Sequence, residues 1–309
     1  MSKIKVAVIG TGYLGSLHAK IYKEIPGCEL AGICDSNKQR CDEISAGLQV
    51  PGFTDHTALF GKIDAVSIAV PTLLHHKIAL DFLSRGIHTL VEKPFTSNLK
   101  EADSLIRAAQ KNRLILQVGH IERFNPAFSC AHKFFKNPYF IECHRLSLFP
   151  NRSLDIGVVL DLMIHDIDII LGLVNSPIKR IEAVGANVLT EYEDIANARI
   201  TFKNGCVCNL TASRISDETM RKIRIFLKDA YISLDYKSEQ AYIYRKGPSG
   251  IFKEALEIEK DHPLKKELSS FIDCVSNHKQ PIVDGKEARQ ALKVALKIKN
   301  LIWKNPRKY

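Results

Sequence analysis

Residues 158–171 read VVLDLMIHDIDIIL, an aliphatic run interrupted by Asp161, His165, Asp166 and Asp168. Burying a charge without a partner costs on the order of several kcal/mol, so a run this apolar carries acids and a histidine for a reason. At about 3.6 residues per turn, Asp161 and His165 stand one helical turn apart and Asp168 nearly two, all on one face. Asp166 falls off that stripe and is left to cap, pair or face water. A carboxylate one turn from an imidazole orients the ring and raises its basicity, which is what general-base chemistry needs. The same residue types could suggest a metal, but they lack a ligand pattern such as H-E-x-x-H. A buried His–Asp pair that only stabilises the core is the bland alternative.

Two more clusters lie upstream. LVEKPF places Glu92, Lys93 and Pro94 at the end of an apolar strand. Proline cannot continue a ladder and disfavours helical geometry at the residue before it. Lys93 is thereby held extended at a strand's C-terminal end, where ligands bind in open α/β sheets. VPTLLHH ends the preceding strand in a similar way, so Pro71, Thr72 and His75 are expected to face the same crevice. Near the start, Gly10-Thr11-Gly12-Tyr13-Leu14-Gly15 fits G-x-G-x-x-G between an apolar strand and a helix. Gly10 permits the tight turn, Gly12 lets a pyrophosphate approach, and Gly15 allows close helix–strand packing. The helix N-terminus then favours the phosphates. Asp35 ends the second strand, where a carboxylate accepts hydrogen bonds from an adenosine ribose. It would repel a 2′-phosphate, and Arg40 compensates only if its helix folds toward the ribose. NAD is therefore expected over NADP.

These residues need elements to hold them. Up to about Val118, continuous apolar strands (IKVAVIG, ELAGICD, IDAVSIAV, IHTLVE, LILQVG) alternate with helices, including ones expected over 75–85 and 99–111. That rhythm predicts a parallel sheet covered on both faces. After Gly119 strands follow in series, from FIECHRLSLF to QAYIYRK, linked by hairpin turns at 203–205 and 228–230. A mostly antiparallel sheet is expected there, closed by helices over 262–277 and 285–304. The division falls near residue 120, giving a dinucleotide-binding domain over 1–120 and a second α/β domain over 121–309.

Composition narrows the class. Hydrophobic residues make up 45% of the 309, a globular value. No segment reaches the roughly 20 unbroken apolar residues of a membrane span, and the N-terminus reads as a strand, not a signal peptide. A cytoplasmic protein is expected. Asn151 and Asn209 match the glycosylation pattern, which has no meaning without secretion. The eight cysteines are scattered, with only Cys206 and Cys208 close, and are expected as reduced, buried thiols. The formal charge of +10 is spread along the chain, so neither nucleic acid nor a membrane is implied as partner.

Taken in order, G-x-G-x-x-G, Glu92-Lys93-Pro94, GHIERFNP at 119–126 and Asp161-x-x-x-His165-x-x-Asp168 resemble the Gfo/Idh/MocA oxidoreductases across nearly the whole chain. The resemblance implies a Rossmann domain, a C-terminal α/β domain with a large open sheet that makes a homodimer or homotetramer, and NAD(P)-dependent oxidation of a sugar or cyclitol hydroxyl. It implies Lys93 as the active-site lysine, His165 as the catalytic base with Asp161 beside it, and His120, Arg123 and Asn125 at cofactor and substrate. His120, Glu122 and Met163 depart from the usual Tyr, Arg and Gly, which bears on substrate orientation. ERFNPAF and DLMIHDIDIIL look most like the branch that oxidises the 3-hydroxyl of UDP-N-acetylglucosamine. A free sugar, an inositol or a non-sugar carbonyl is the alternative substrate. A non-catalytic NAD-binding redox sensor is the alternative class, although a sensor has no use for a proton acceptor.

Overall fold

Strands that are apolar on both sides need cover on both faces, and the first part of the chain alternates helix with strand to supply it. In the computed structural model, which describes residues 3–149, 156–248 and 250–304, the order is β1 (Ile4–Ile9), α1 (Tyr13–Glu24), β2 (Cys28–Cys34), α2 (Lys38–Leu48), β3 (Gly52–Phe53), β4 (Ala65–Ile68), α3 (Thr72–Leu83), β5 (His88–Glu92), α4 (Leu99–Lys111) and β6 (Leu116–Gly119). The strands pair in the order β3-β2-β1-β4-β5-β6, all parallel. This is a Rossmann sheet. Its order reverses between β1 and β4, and the carboxyl ends of those strands flank the point where such sheets bind ligands.

Beyond Ile121 the rhythm changes. A short helix α5 (Pro126–Ala131) precedes β7 (Phe140–Leu146), and a π-helical turn (Val159–Met163) runs into α6 (Ile164–Leu173). Then come β8 (Ile178–Ala186), β9 (Ile195–Phe202), β10 (Val207–Ser213), β11 (Met220–Phe226), β12 (Ala230–Asp235), β13 (Gln240–Gly247) and β14 (Gly250–Ala255). They form one sheet in the order β14-β13-β12-β11-β7-β10-β9-β8, in which only β7 and β10 pair parallel. β14 had no sequence signal: every residue of it is exposed, so it lacks the alternation that marks a half-buried strand. Period-two alternation fixes the two faces elsewhere. Ala196, Ala198, Ile200 and Phe202 point to the covered face, at 1% exposure or less. Ile200 and Phe202 are therefore core, while Val207 falls half-buried on the opposite face. The outer face carries Asn197, Arg199 and Asn209 instead, with an aromatic row of Phe140, Phe226, Tyr231 and Tyr244, of which the last three stack. Asn209 lies on β10, and Asn151 falls outside the described residues.

Two helices close the chain, α7 (Pro263–Asn277) and α8 (Gly285–Lys304). The chain divides into two compact units, one of residues up to Ile121 with His262–Arg289, the other of Glu122–Asp261 with the residues from Gln290 on. α7 belongs to the first unit because its apolar stripe demands it. Leu264, Leu268, Phe271, Ile272 and Val275 join the core of Val6, Val8, Tyr22, Ile33 and Leu90. Each such side chain contributes about 1.5–3 kcal/mol on burial. Along α8, Gly285–Arg289 count with the first unit and the remainder with the second. All eight cysteines are free thiols, with Cys206 and Cys208 buried.

In the second unit, the loop between β8 and β9 is organised by one carboxylate. Asp194 Oδ2 accepts the amides of Val188, Leu189 and Thr190 at 2.8, 2.7 and 3.0 Å. Its Oδ1 accepts the Thr190 hydroxyl and Arg214 Nε, both at 2.8 Å. Burial resists the charge, but the amides and the guanidinium win and hold the carboxyl well below its usual range. A carboxyl with a lower pKa folded than unfolded stabilises the fold fully above about pH 4, its unfolded value, and loses that contribution as pH falls. Asp194→Asn should therefore lower the melting temperature near neutral pH and flatten its decline on acidification. Parallel acid losses in the two proteins, in thermal unfolding from about pH 7 to pH 3, would contradict this.

Candidate active site

The first unit builds a dinucleotide cradle. Gly10 sits at φ +86°, and a Cβ there would lie 2.7 Å from the Ala69 carbonyl oxygen. A Cβ on Gly15 would collide with the Gly10 carbonyl, so glycine is required for α1 to pack on the turn. Around Gly12 nothing lies within 4 Å of a Cβ position. Space is open there, and no side chain caps the start of α1. A helix N-terminus beside open space fits a pyrophosphate. Tyr13 and Leu14, exposed by 65% and 37%, line the first turn. Thr11 is turned inward: its amide and hydroxyl donate to Asp35 Oδ2 at 2.7 and 2.9 Å. Partial burial opposes charge on Asp35, yet the Asn37 amide, both Thr11 groups and the Arg40 charge outweigh it and keep the carboxyl below its ordinary range. The result is an ionised carboxylate at the end of β2, with exposed Arg40 on α2 nearby. The cradle fits NAD. Asp35→Ser should narrow or reverse the preference for NAD over NADP. Equal or better NADP binding by the unmodified protein would refute the role given to this carboxylate.

Lys93 follows β5 and is joined to Pro94 by a cis peptide bond. The Glu92 carboxylate is 7% exposed. Its Oε1 lies 3.2 Å from His18 Nε2 on α1, and its Oε2 accepts the Lys93 amide at 3.2 Å. Pro71 is exposed and Thr72 half-buried at the start of α3. His75 differs from its expected place: it is 1% exposed and does not face an open crevice. Its Nδ1 and Nε2 lie 2.9 Å from the carbonyl oxygens of Pro94 and Val70. Burial pushes its pKa down, against the pull of those carbonyls. His75 thus braces the loop that follows Lys93. His120, also expected at the site, is 1% exposed just after β6. A cavity of about 590 Å³ in this unit, lined by Arg113, His278 and Lys286 among others, lies at the opposite end of β6 from these residues.

In the second unit the ionisable helix has a different pitch from the expected one. Val159–Met163 form a π-helical turn, and regular α-helix begins at Ile164. The wider i→i+5 turn, a feature frequent at functional sites, sets Asp161 relative to His165. Asp161 is half-buried and His165 is 9% exposed. Asp168 does not extend their stripe into the site, because it accepts Arg123 Nε at 2.8 Å. Arg123 lies along α6, where a Cβ on Gly172 would collide with its guanidinium. Asn125 is likewise committed to the protein: its Oδ1 accepts the Ala127 amide at 3.0 Å, capping α5, and its Nδ2 reaches Glu122 and the Tyr236 carbonyl. These Arg123 and Asn125 contacts hold the segment they stand on. Among the described residues no cluster of three or more His, Cys, Asp or Glu could hold a metal.

Asp166 pairs, and with a residue that motif reading passed over. Arg145 of β7, 3% exposed, donates Nε and Nη2 to the two Asp166 oxygens at 3.1 and 2.9 Å, and Nη1 to Glu122 Oε1 at 2.8 Å. Burial pushes the Asp166 carboxyl up, while Arg145 pulls it down. The departure at Glu122 now has a cause: a carboxylate there completes the shell around a buried arginine. The signal was present, because Arg145 occupies an inward position of β7 between Ile141, Cys143 and the helix, where alternation calls for an apolar residue. Arg145→Met should destabilise the protein by about 3–5 kcal/mol, since two buried acids lose their counter-charge. An unfolding midpoint within error of the parent would sink this account of the triad.

Known proteins resemble this chain along most of its length. A family model described as the oxidoreductase family with an NAD-binding Rossmann fold matches residues 4–120, and the GFO/IDH/MocA C-terminal domain matches residues 128–233. The chain is 39% identical over 306 residues to UDP-N-acetylglucosamine 3-dehydrogenase of Acidithiobacillus ferrooxidans, covering 97% of each. It is 27% identical to scyllo-inositol 2-dehydrogenase (NAD(+)) of Bacillus subtilis, over 96% of this chain and 94% of that one. A solved structure of the Acidithiobacillus ferrooxidans enzyme, GnnA, superposes with a TM-score of 0.93 over 98% of both chains. Levoglucosan dehydrogenase in complex with NADH, at 18% identity and a TM-score of 0.90, shares the fold. With its cradle, its lysine at a strand end and its histidine helix in place, the chain belongs to the Gfo/Idh/MocA family of NAD-binding oxidoreductases.

Proposed function

We propose that this chain oxidises the 3-hydroxyl of UDP-N-acetylglucosamine to a ketone, with NAD as the acceptor. The observation that carries the reading is the 39% identity to a UDP-N-acetylglucosamine 3-dehydrogenase along 97% of both chains. Three features of the site support it: the open cradle at Gly12, the lysine held after β5, and a buried imidazole one turn from a carboxylate.

NAD, when bound, accepts the hydride released from the carbinol carbon. The amides at the start of α1 hold its pyrophosphate, and Asp35 accepts from the adenosine ribose. His165 takes the proton of the substrate hydroxyl, with Asp161 orienting the ring. Lys93 donates a hydrogen bond to the oxygen as alkoxide charge develops. His120 stands with the substrate groups. Arg123 and Asn125 are assigned to the substrate as well, on a segment held by their contacts to Asp168 and the Ala127 amide.

We place the enzyme in the cytoplasm as a homodimer or homotetramer with no nucleic-acid or membrane partner. Among the described residues no helix is long and apolar enough to cross a membrane. The row of half-exposed aromatics on the outer sheet face, with Tyr231 and Tyr244 centroids 4.2 Å apart, is the surface a second copy would cover. Light scattering should give a species larger than one chain, and a monodisperse monomer at micromolar concentration would contradict the assembly.

Activity is tested by reduced-nicotinamide absorbance with UDP-N-acetylglucosamine, free N-acetylglucosamine and inositols as substrates. The nucleotide sugar should be strongly preferred, and a better rate with an inositol would overturn the substrate assignment. His165→Ala should lower turnover by about 10² to 10⁴, the usual worth of a positioned base, with NAD affinity nearly unchanged. A purely structural histidine would instead lower the melting temperature and leave turnover per folded molecule intact.

A further inference from the structure

The first unit buries a polar chain that no step above uses. Its members are His18 on α1, at 0% exposure, Ser67 on β4, also at 0%, and the Glu92 carboxylate beside Lys93. His18 Nδ1 lies 2.7 Å from Ser67 Oγ, and its Nε2 lies 3.2 Å from Glu92 Oε1, bent from a straight hydrogen bond but within ion-pair reach. Tyr22, one turn further along α1, is fully buried on the same helix. Space for the carboxylate is provided at the end of β6, where a Cβ on Gly119 would lie 2.7 Å from Glu92 Oε1. Burying a carboxylate is costly unless it is paired, and here the partner comes from the helix whose first turn forms the dinucleotide cradle.

We propose that His18 is a positioning residue for the reaction: by gripping the Glu92 carboxylate it fixes the backbone amide and direction of Lys93 at the end of β5. The Glu92 carboxylate accepts the Lys93 amide through its other oxygen, so its placement sets where the lysine leaves the strand. Burial opposes the charge on Glu92, while His18 and Lys93 keep its carboxyl below the ordinary range. On the far side of Lys93, His75 meets the Pro94 carbonyl at 2.9 Å. The lysine thus stands between two braced neighbours, one tied to α1 and one to α3. This inference rests on the role given to Lys93 above.

Two substitutions separate grip from packing. The amide of His18→Gln reaches the position of Nε2 and can still donate to Glu92. The shorter amide of His18→Asn keeps only the Ser67 side. Turnover, NAD affinity by nicotinamide fluorescence quenching and melting temperature are measured on both, with Lys93→Met alongside. The expected result is a turnover about tenfold to 10²-fold lower in His18→Asn, the scale of a displaced catalytic group. NAD affinity should hold, the larger part of the turnover should return in His18→Gln, and the two melting temperatures should be similar. Equal turnover in the Asn and Gln variants, or turnover that follows melting temperature, would overturn the grip. If Lys93→Met is inactive and His18→Asn is unimpaired, the grip alone fails. If Lys93→Met turns over normally, the role of Lys93 fails and the grip with it.

Discussion

A buried charge must be met by another, and this constraint organises both units. In the second, Arg145 meets Asp166 with two hydrogen bonds and Glu122 with a third. Without that guanidinium, an aliphatic helix could not carry Asp166 at 3% exposure. Arg123 does the same for Asp168. Two of the four ionisable residues of the helix are thereby spent on structure. Asp161 and His165 are the pair proposed above for the proton transfer. The core-like character of the sequence and its polar residues are not in conflict, because the countercharges come from β7 and from the loop at 121–125.

The first unit solves the same problem with imidazoles. His18 on α1 and His75 on α3 contact Glu92 and Pro94, the residues flanking Lys93. Neutral or charged, a histidine can meet a carboxylate and a hydroxyl at once through its two ring nitrogens. α1 therefore has two duties: its glycine-rich start leaves amides open at Gly12, and its second turn reaches under the sheet to the lysine's strand.

Much of this was legible in the sequence. The parallel first sheet, the mostly antiparallel second sheet, β9 and the limits of α4 and α8 follow from apolar periodicity, and G-x-G-x-x-G with Asp35 follows from spacing. What escaped did so for physical reasons. β14 is exposed throughout and has no periodic pattern. The π-helical turn before Ile164 depends on packing that a 3.6-residue period does not contain. His75, Arg123 and Asn125 are polar residues beside motifs, and motif logic assigns such groups to ligands. Their partners among the protein's own carbonyls, amides and carboxylates carry no motif and could not be read from sequence. Arg145 and His18 were visible only as polar residues on inward faces.

In the proposed reaction, hydride leaves carbon 3 of a nucleotide sugar for NAD. UDP-N-acetylglucosamine carrying deuterium at carbon 3 tests it most directly, with the reduced nicotinamide recovered and weighed by mass spectrometry. The account predicts that the deuterium appears in the reduced nicotinamide. Reduced nicotinamide formed without the label, with deuterium retained in the sugar, would contradict it.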